Sequence, residues 1–296
     1  MGSRRIGRWA VAMALLSPAA GYTQAGQPPF LTSTPAVTAA ARAKATGKLT
    51  PTPSQAELRA LWEGGTWSQD VGRGGGWMSG FKTSAEYGDP EFVPPNMVPL
   101  KPAPMEVYKN IRREMGRGRQ IFGPYTQCHP AGMPYILTMS GYGGWEVVVS
   151  PREIDLFYGN QMQHRRIFLD GRPHPDEATT SLYNGWSAAH WEGKTMVVET
   201  TNIRGSNTQI EPHIPKAEGS YIIERYTPAG PNKIALEMTM TNPEFTRPWV
   251  VKMMLTRNPN GKMIEGMCSD DNRWVFRGGE LVLLGADGNP LEKAED

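Results

Sequence analysis

Along the second half of the chain, apolar and polar residues alternate in short runs cut by turn residues. The runs 135–140, 145–150, 153–158, 161–169, 186–191, 195–201, 220–227, 233–241, 249–257 and 262–269 carry the two-residue period of strands with one covered face. Glu192-Gly193-Lys194 and Asn258-Pro259-Asn260-Gly261 are tight enough to join antiparallel neighbours. Helical segments do not alternate with these runs, which argues against a doubly wound α/β fold. An all-β domain from about residue 125 to 296 is expected. A closed antiparallel barrel is the first reading, because closure removes exposed edges, and a β-sandwich is the alternative.

The pattern upstream is different. Residues 1–25 run from Arg4, Arg5 and Arg8 through an apolar stretch to small residues, the plan of a secretory signal peptide. The apolar stretch is too short to span a bilayer, so no membrane span is expected. Residues 26–124 read as an extended arm, Gly/Pro-rich loops and two short helices. The first helix, 54–62, starts at a cap-like Ser54. The second, 104–117, carries its basic residues on a solvated face. Between them, 63–80 is glycine-rich but lacks the lysine and the strand–helix setting of a phosphate loop.

Composition sharpens this reading. With 33 Gly and 26 Pro in 296 residues the chain is turn-rich, yet 39% hydrophobic content keeps it out of the disordered class. The net charge of +2 rests on the three leader arginines, so the body is close to neutral and a basic nucleic-acid-binding surface is excluded as the default. Two cysteines in an exported protein point to a bridge between Cys128 and Cys268. The rival reading is a nucleophilic Cys128 beside His129.

Several strings give the chain a resemblance. Cys128-His129-Pro130-Ala131-Gly132-Met133-Pro134, Arg165-Arg166-Ile167, Asp170-Gly171-Arg172-Pro173-His174-Pro175, His190-Trp191-Glu192-Gly193-Lys194-Thr195 and Glu224-Arg225-Tyr226 occur in order, followed by Cys268. In these it resembles a large group of uncharacterised exported bacterial proteins, in which a His often stands where this chain has Trp186. The leader makes a periplasmic or secreted location the expectation, and the resemblance implies no particular activity. Separately, Gly65-Thr66-Trp67 is similar to the Gly-x-Trp motif of lipocalins, which implies a lipocalin-like barrel.

The chemistry-bearing residues are few. No His-x-x-x-His or Cys-x-x-Cys pair is present, so neither a metal site nor a cofactor is expected. In Asp170–Pro175, two prolines stiffen the backbone around His174, which suits acid–base work but also suits a plain turn. In the stretch Tyr183-Asn184-Gly185-Trp186, strand alternation puts Trp186, Ala188 and His190 on one face: an aromatic plate, a gap and an imidazole. Glu199 sits within a β-branched run, and one of Arg165 and Arg166 is placed to enter the barrel and meet Glu199 or an anionic ligand.

These residues support a periplasmic enzyme acting on an apolar or aromatic small molecule in a barrel cavity. It would be a lyase, isomerase or dehydratase, with His174 or His190 as acid or base and Asp170 or Glu199 as orienter. Trp186, Arg165, Arg172, Tyr183, Asn184 and His213 would contact the substrate. The alternatives are a non-catalytic carrier and a structural envelope protein.

Overall fold

A computed structural model describes residues 49–70, 86, 89, 91–94, 97–117, 128–138, 144–175, 180–205, 210, 214, 216–268, 274–277, 280–285 and 289–290. Nine strands follow one another around a closed barrel: β1 (Thr66–Gln69), β2 (Trp145–Val149), β3 (Glu153–Tyr158), β4 (Gln163–Phe168), β5 (Trp186–Glu192), β6 (Thr195–Ile203), β7 (Ser220–Gly230), β8 (Lys233–Thr241) and β9 (Trp249–Asn258). The closing pair is β9 with β1, so the sandwich alternative falls.

An odd number of strands cannot close with strictly alternating directions, and one neighbouring pair must run parallel. That pair is β4–β5, in register only at Ile167↔Ser187 and Phe168↔Ala188. A parallel pair needs a crossover that returns along the barrel. Here it is the segment 169–185, which carries Asp170, Arg172 and His174.

Four points of the sequence reading are corrected. Run 135–140 is a 3-10 turn, Tyr135–Thr138, because its apolar residues Tyr135, Ile136 and Leu137 are all buried, where a strand would alternate. In run 262–269 the described residues, 262–268, form no strand and a single bridge, Gly266 to Asn160. Strand β1 lies within the segment read as a glycine-rich loop, and a separate hairpin, β10 (Trp274–Arg277) with β11 (Glu280–Leu283), was not expected at all.

The barrel is closed at both ends by segments from outside it. Helix α1 (Gln55–Trp62) begins in a capping box, with Ser54 N–H donating to the Glu57 carboxylate at 2.8 Å. It buries Leu58 and Trp62 and meets the end of β2, where Val149 N–H donates to Glu63 at 2.7 Å. Trp67 donates its indole N–H to the Trp62 carbonyl at 2.8 Å, and Arg257 of β9 lies 5.4 Å from the Trp67 ring centre. At the other end of the β2–β4 strands, the segment from Gly132 to Thr138 forms a plug. Gly132 N–H donates to Gln163 at the start of β4, and Met133, Ile136 and Leu137 are fully buried. The Cys128–Cys268 disulfide, Cα–Cα 5.4 Å, anchors this plug to the segment that follows β9.

Helix α2 (Pro102–Gly116) departs from the solvated basic face expected of it. Arg112 is buried and donates to the carbonyls of Phe92, Glu86 and Asp89, so it braces the loop before the helix.

Gly65 shows what barrel closure demands. Its φ is +81°, and a Cβ there would stand 2.0 Å from the Asn258 carbonyl oxygen at the end of β9. The left-handed backbone alone costs a side chain about 1–2 kcal/mol. Gly65→Ala should therefore lower the thermal unfolding midpoint clearly, by pushing β1 away from β9. An unchanged midpoint would show that this seam adjusts freely.

Candidate functional site

Two polar constellations stand out, one inside the wall and one outside it. Inside, strand parity points Gln163, Arg165 and Ile167 of β4 at the axis and His164 and Arg166 away from it. Arg165 therefore enters the barrel, as one of the two arginines was expected to. Its partner is Glu224 of β7, not Glu199. The guanidinium is bidentate on Glu224, with Nη1–Oε1 at 2.9 Å, and also donates to Ser187 at 3.2 Å and Thr200 at 3.0 Å. Tyr226 donates to the same carboxylate.

Burial pulls the Arg165 pKa down, but the Glu224 carboxylate outweighs it and the guanidinium stays charged. Burial, then Glu224, holds the Tyr226 phenol well above its ordinary value. Glu224, Ser187, Thr200 and Tyr158 are 0% exposed, and Arg165 is 1% exposed. At this level Arg165, Glu224, Ser187, Thr200 and Tyr226 occupy the barrel axis with their own hydrogen-bonded groups. The cluster is a structural ion pair, satisfied by hydrogen bonds on both partners.

Outside, the described parts of the crossover, 169–175 and 180–185, meet β6 at Thr201, Asn202 and Ile203. A register shift in β6 between Thr200 and Ile203 leaves Asn202 at φ +55°, turned to the crossover. Asn202 donates to the Thr180 carbonyl at 3.1 Å and accepts from the Leu182 N–H at 2.9 Å. The Thr201 hydroxyl gives its one proton to Asn202, at 2.5 Å. It must then accept from His174, whose Nδ1 is 2.7 Å away. Neutral His174 is thereby set as the Nδ1–H tautomer, with its lone pair on Nε2.

On the same outer face Trp186 is paired across strands with Thr201, and Ala188 with Glu199. The indole packs on Phe168, ring centres 4.3 Å apart, and Arg172 covers the other part of Phe168 at 4.1 Å. Glu199 accepts from the Tyr221 hydroxyl at 3.0 Å. Trp186, Ala188, Glu199 and His174 are all half-buried. The Trp186 indole N–H is shielded from water without a hydrogen-bond partner.

Strand register fixes which way this face of β5 looks. Ser187, Ala189 and Trp191 take the inward parity of β5, so Trp186, Ala188 and His190 line the outside. Of the expected site residues, Trp186, His174 and Glu199 come together with Thr201 and Tyr221. Asp170 does not orient a histidine: it is bidentate on Arg172, at 2.7 and 2.6 Å, whose hydrogen bonds hold its carboxyl down at about 2. His190 turns to Glu192 at 3.3 Å, which is shared with Arg225 at 2.6 Å. Tyr183 meets His129 at 3.3 Å, Asn184 donates to the His164 carbonyl at 2.9 Å, and His213 lies outside the described residues.

Among the described residues no group of three or more His, Cys, Asp or Glu side chains converges as a metal centre, and no helix is long and apolar enough to cross a membrane. An open depression of about 540 Å³ lies on β7–β9, but its Lys252 and Glu237 pair with each other at 2.9 Å. No protein-family model, curated protein or solved structure matches the chain.

Sequence reasoning did not foresee the polar core of Tyr226, Ser187 and Thr200, nor Phe168 and Thr201 in the outer patch. A signal for Glu224 existed: it falls on the buried parity of Tyr221-Ile222-Ile223-Glu224, where an acid must find a cation.

Proposed function

We propose that this is a small-molecule binding protein, non-catalytic, that works in a bacterial periplasm. It holds an apolar or aromatic ligand on the outer patch of Trp186, Ala188 and His174. The observation that carries the reading is the Trp186 indole: half-buried, backed by Phe168, bordered by the small Ala188, with an N–H that has no acceptor. An aromatic plate beside a gap and a few fixed polar groups is the usual make-up of a ligand site. The resemblance to exported bacterial proteins supports the compartment. Trp67 near the start of the first barrel strand is in keeping with a lipocalin-like barrel, and the buried Arg165–Glu224 pair across the interior favours the outer wall for the ligand.

Acid–base catalysis has less behind it, since Asp170 and His190 are already committed to Arg172 and Glu192. The test uses 8-anilinonaphthalene-1-sulfonate, an aromatic probe with hydrogen-bond acceptors, titrated onto the folded protein. Trp186→Ala is expected to weaken it by about 2- to 10-fold, the worth of one aromatic contact, with the thermal midpoint nearly unchanged. Equal affinity in the variant overturns the assignment. Native mass spectrometry of protein from its own cells would identify the natural ligand.

A further inference from the structure

Lys216, just before β7, is a buried amine that neither polar constellation uses. It is 6% exposed and stands between Ile214, at 1%, and the turn that leads into β7. Its Nζ donates to the carbonyl of Met133, the residue at the heart of the plug and itself 0% exposed. An ammonium has three donors, and among the described residues this one hydrogen-bonds a single neutral acceptor, with the Glu218 carboxylate acting on it only through its charge. Buried charges ordinarily have an ionic partner.

We infer that Lys216 is a pH-operated latch, holding the Gly132–Thr138 plug in the barrel mouth when its amine is neutral and loosening it when the amine is charged. The plug is otherwise held by the burial of Met133, Ile136 and Leu137 and by backbone hydrogen bonds. Its backbone is held by Gly132 N–H to Gln163 at 3.2 Å and Met133 N–H to the Tyr183 carbonyl at 2.9 Å, with the disulfide at its root. Loosening Met133 would therefore open the end of the barrel while the fold stays tethered.

Burial pushes the Lys216 amine down to about 7, with Glu218 opposing this weakly from the same segment. In the open state the amine meets water and returns to the ordinary lysine value, near 10.5. The open state thus binds more protons between those two values, and opening grows as pH falls from about 10 to 7. Below 7 both states are protonated and the effect levels off. The other ionisable groups at this place are His129 on the plug, 3.3 Å from the Tyr183 hydroxyl on the crossover, and Arg204, 4.7 Å from the Tyr183 ring centre. Of these His129 also carries an ionisable side chain, and its own variant separates the two.

Peroxide oxidation of the Met133 thioether in the intact, disulfide-bonded protein reads the opening directly, by mass spectrometry of the peptide that contains it. The wild type should oxidise on the order of fifty- to a hundredfold faster at pH 6 than at pH 9, with most of the rise above pH 7. Lys216→Met should flatten this profile, and His129→Gln should keep it. A wild-type rate independent of pH, a dependence that survives Lys216→Met, or one that vanishes in His129→Gln overturns the latch. Should Lys216→Met fail to fold, the wild-type curve still decides, because a histidine would confine the change to about one unit around pH 6.5.

Discussion

Glu224→Gln should destabilise the barrel by about 3–5 kcal/mol, because it leaves the Arg165 guanidinium charged, buried and without its counter-ion. Arginine does not shed its proton to escape. The deficit should therefore persist across the whole pH range of a chemical-denaturation series. Arg165→Met strands the other partner and should behave differently. A lone buried carboxylate has its folded pKa raised above the unfolded value, so its protonated form is the one the fold tolerates. Stability missing at pH 7 should then partly return as pH drops through that raised value. The double variant Arg165→Met, Glu224→Leu should recover most of the loss, since Ser187 and Thr200 still bond each other at 2.9 Å. A cycle with no coupling between the two sites would show that the pair contributes nothing to this core.

Breaking the disulfide is the second large effect. Cys128 and Cys268 are 140 residues apart, and the chain-entropy account gives such a closure about 4–5 kcal/mol. A Cys128→Ser, Cys268→Ser chain should unfold at markedly lower denaturant than the oxidised wild type, and wild type under reductant should match it. The plug should suffer first, because the bridge is its covalent root. A difference under about 1 kcal/mol would mean that the unfolded chain already holds these ends together.

Strand periodicity made most of the barrel legible. The runs from 145 to 257 became β2–β9 because alternation with β-branched residues leaves a chain few other ways to bury one face. Strand β1 was hidden: four residues, Thr66–Gln69, are too short for a period to show among glycines. The 3-10 turn was misread since consecutive buried residues look the same in either conformation until a neighbour covers them. For the site, Trp186, His174 and Glu199 were named from residue type alone, and their convergence depended on a crossover that no local pattern announces.

Sequence alone determined the two faces of strands β2–β9, the turns and the one possible disulfide, because these follow from the period of two, glycine and proline geometry, and a count of cysteines. Only the tertiary structure decided which face looks inward. Nine strands must close with one parallel pair, and that requirement laid His174 on the outer wall beside Trp186. The same closure brought Arg165 and Glu224, 59 positions apart, into contact inside. Parity along a strand is local, but the direction of the barrel axis is a property of the closed sheet.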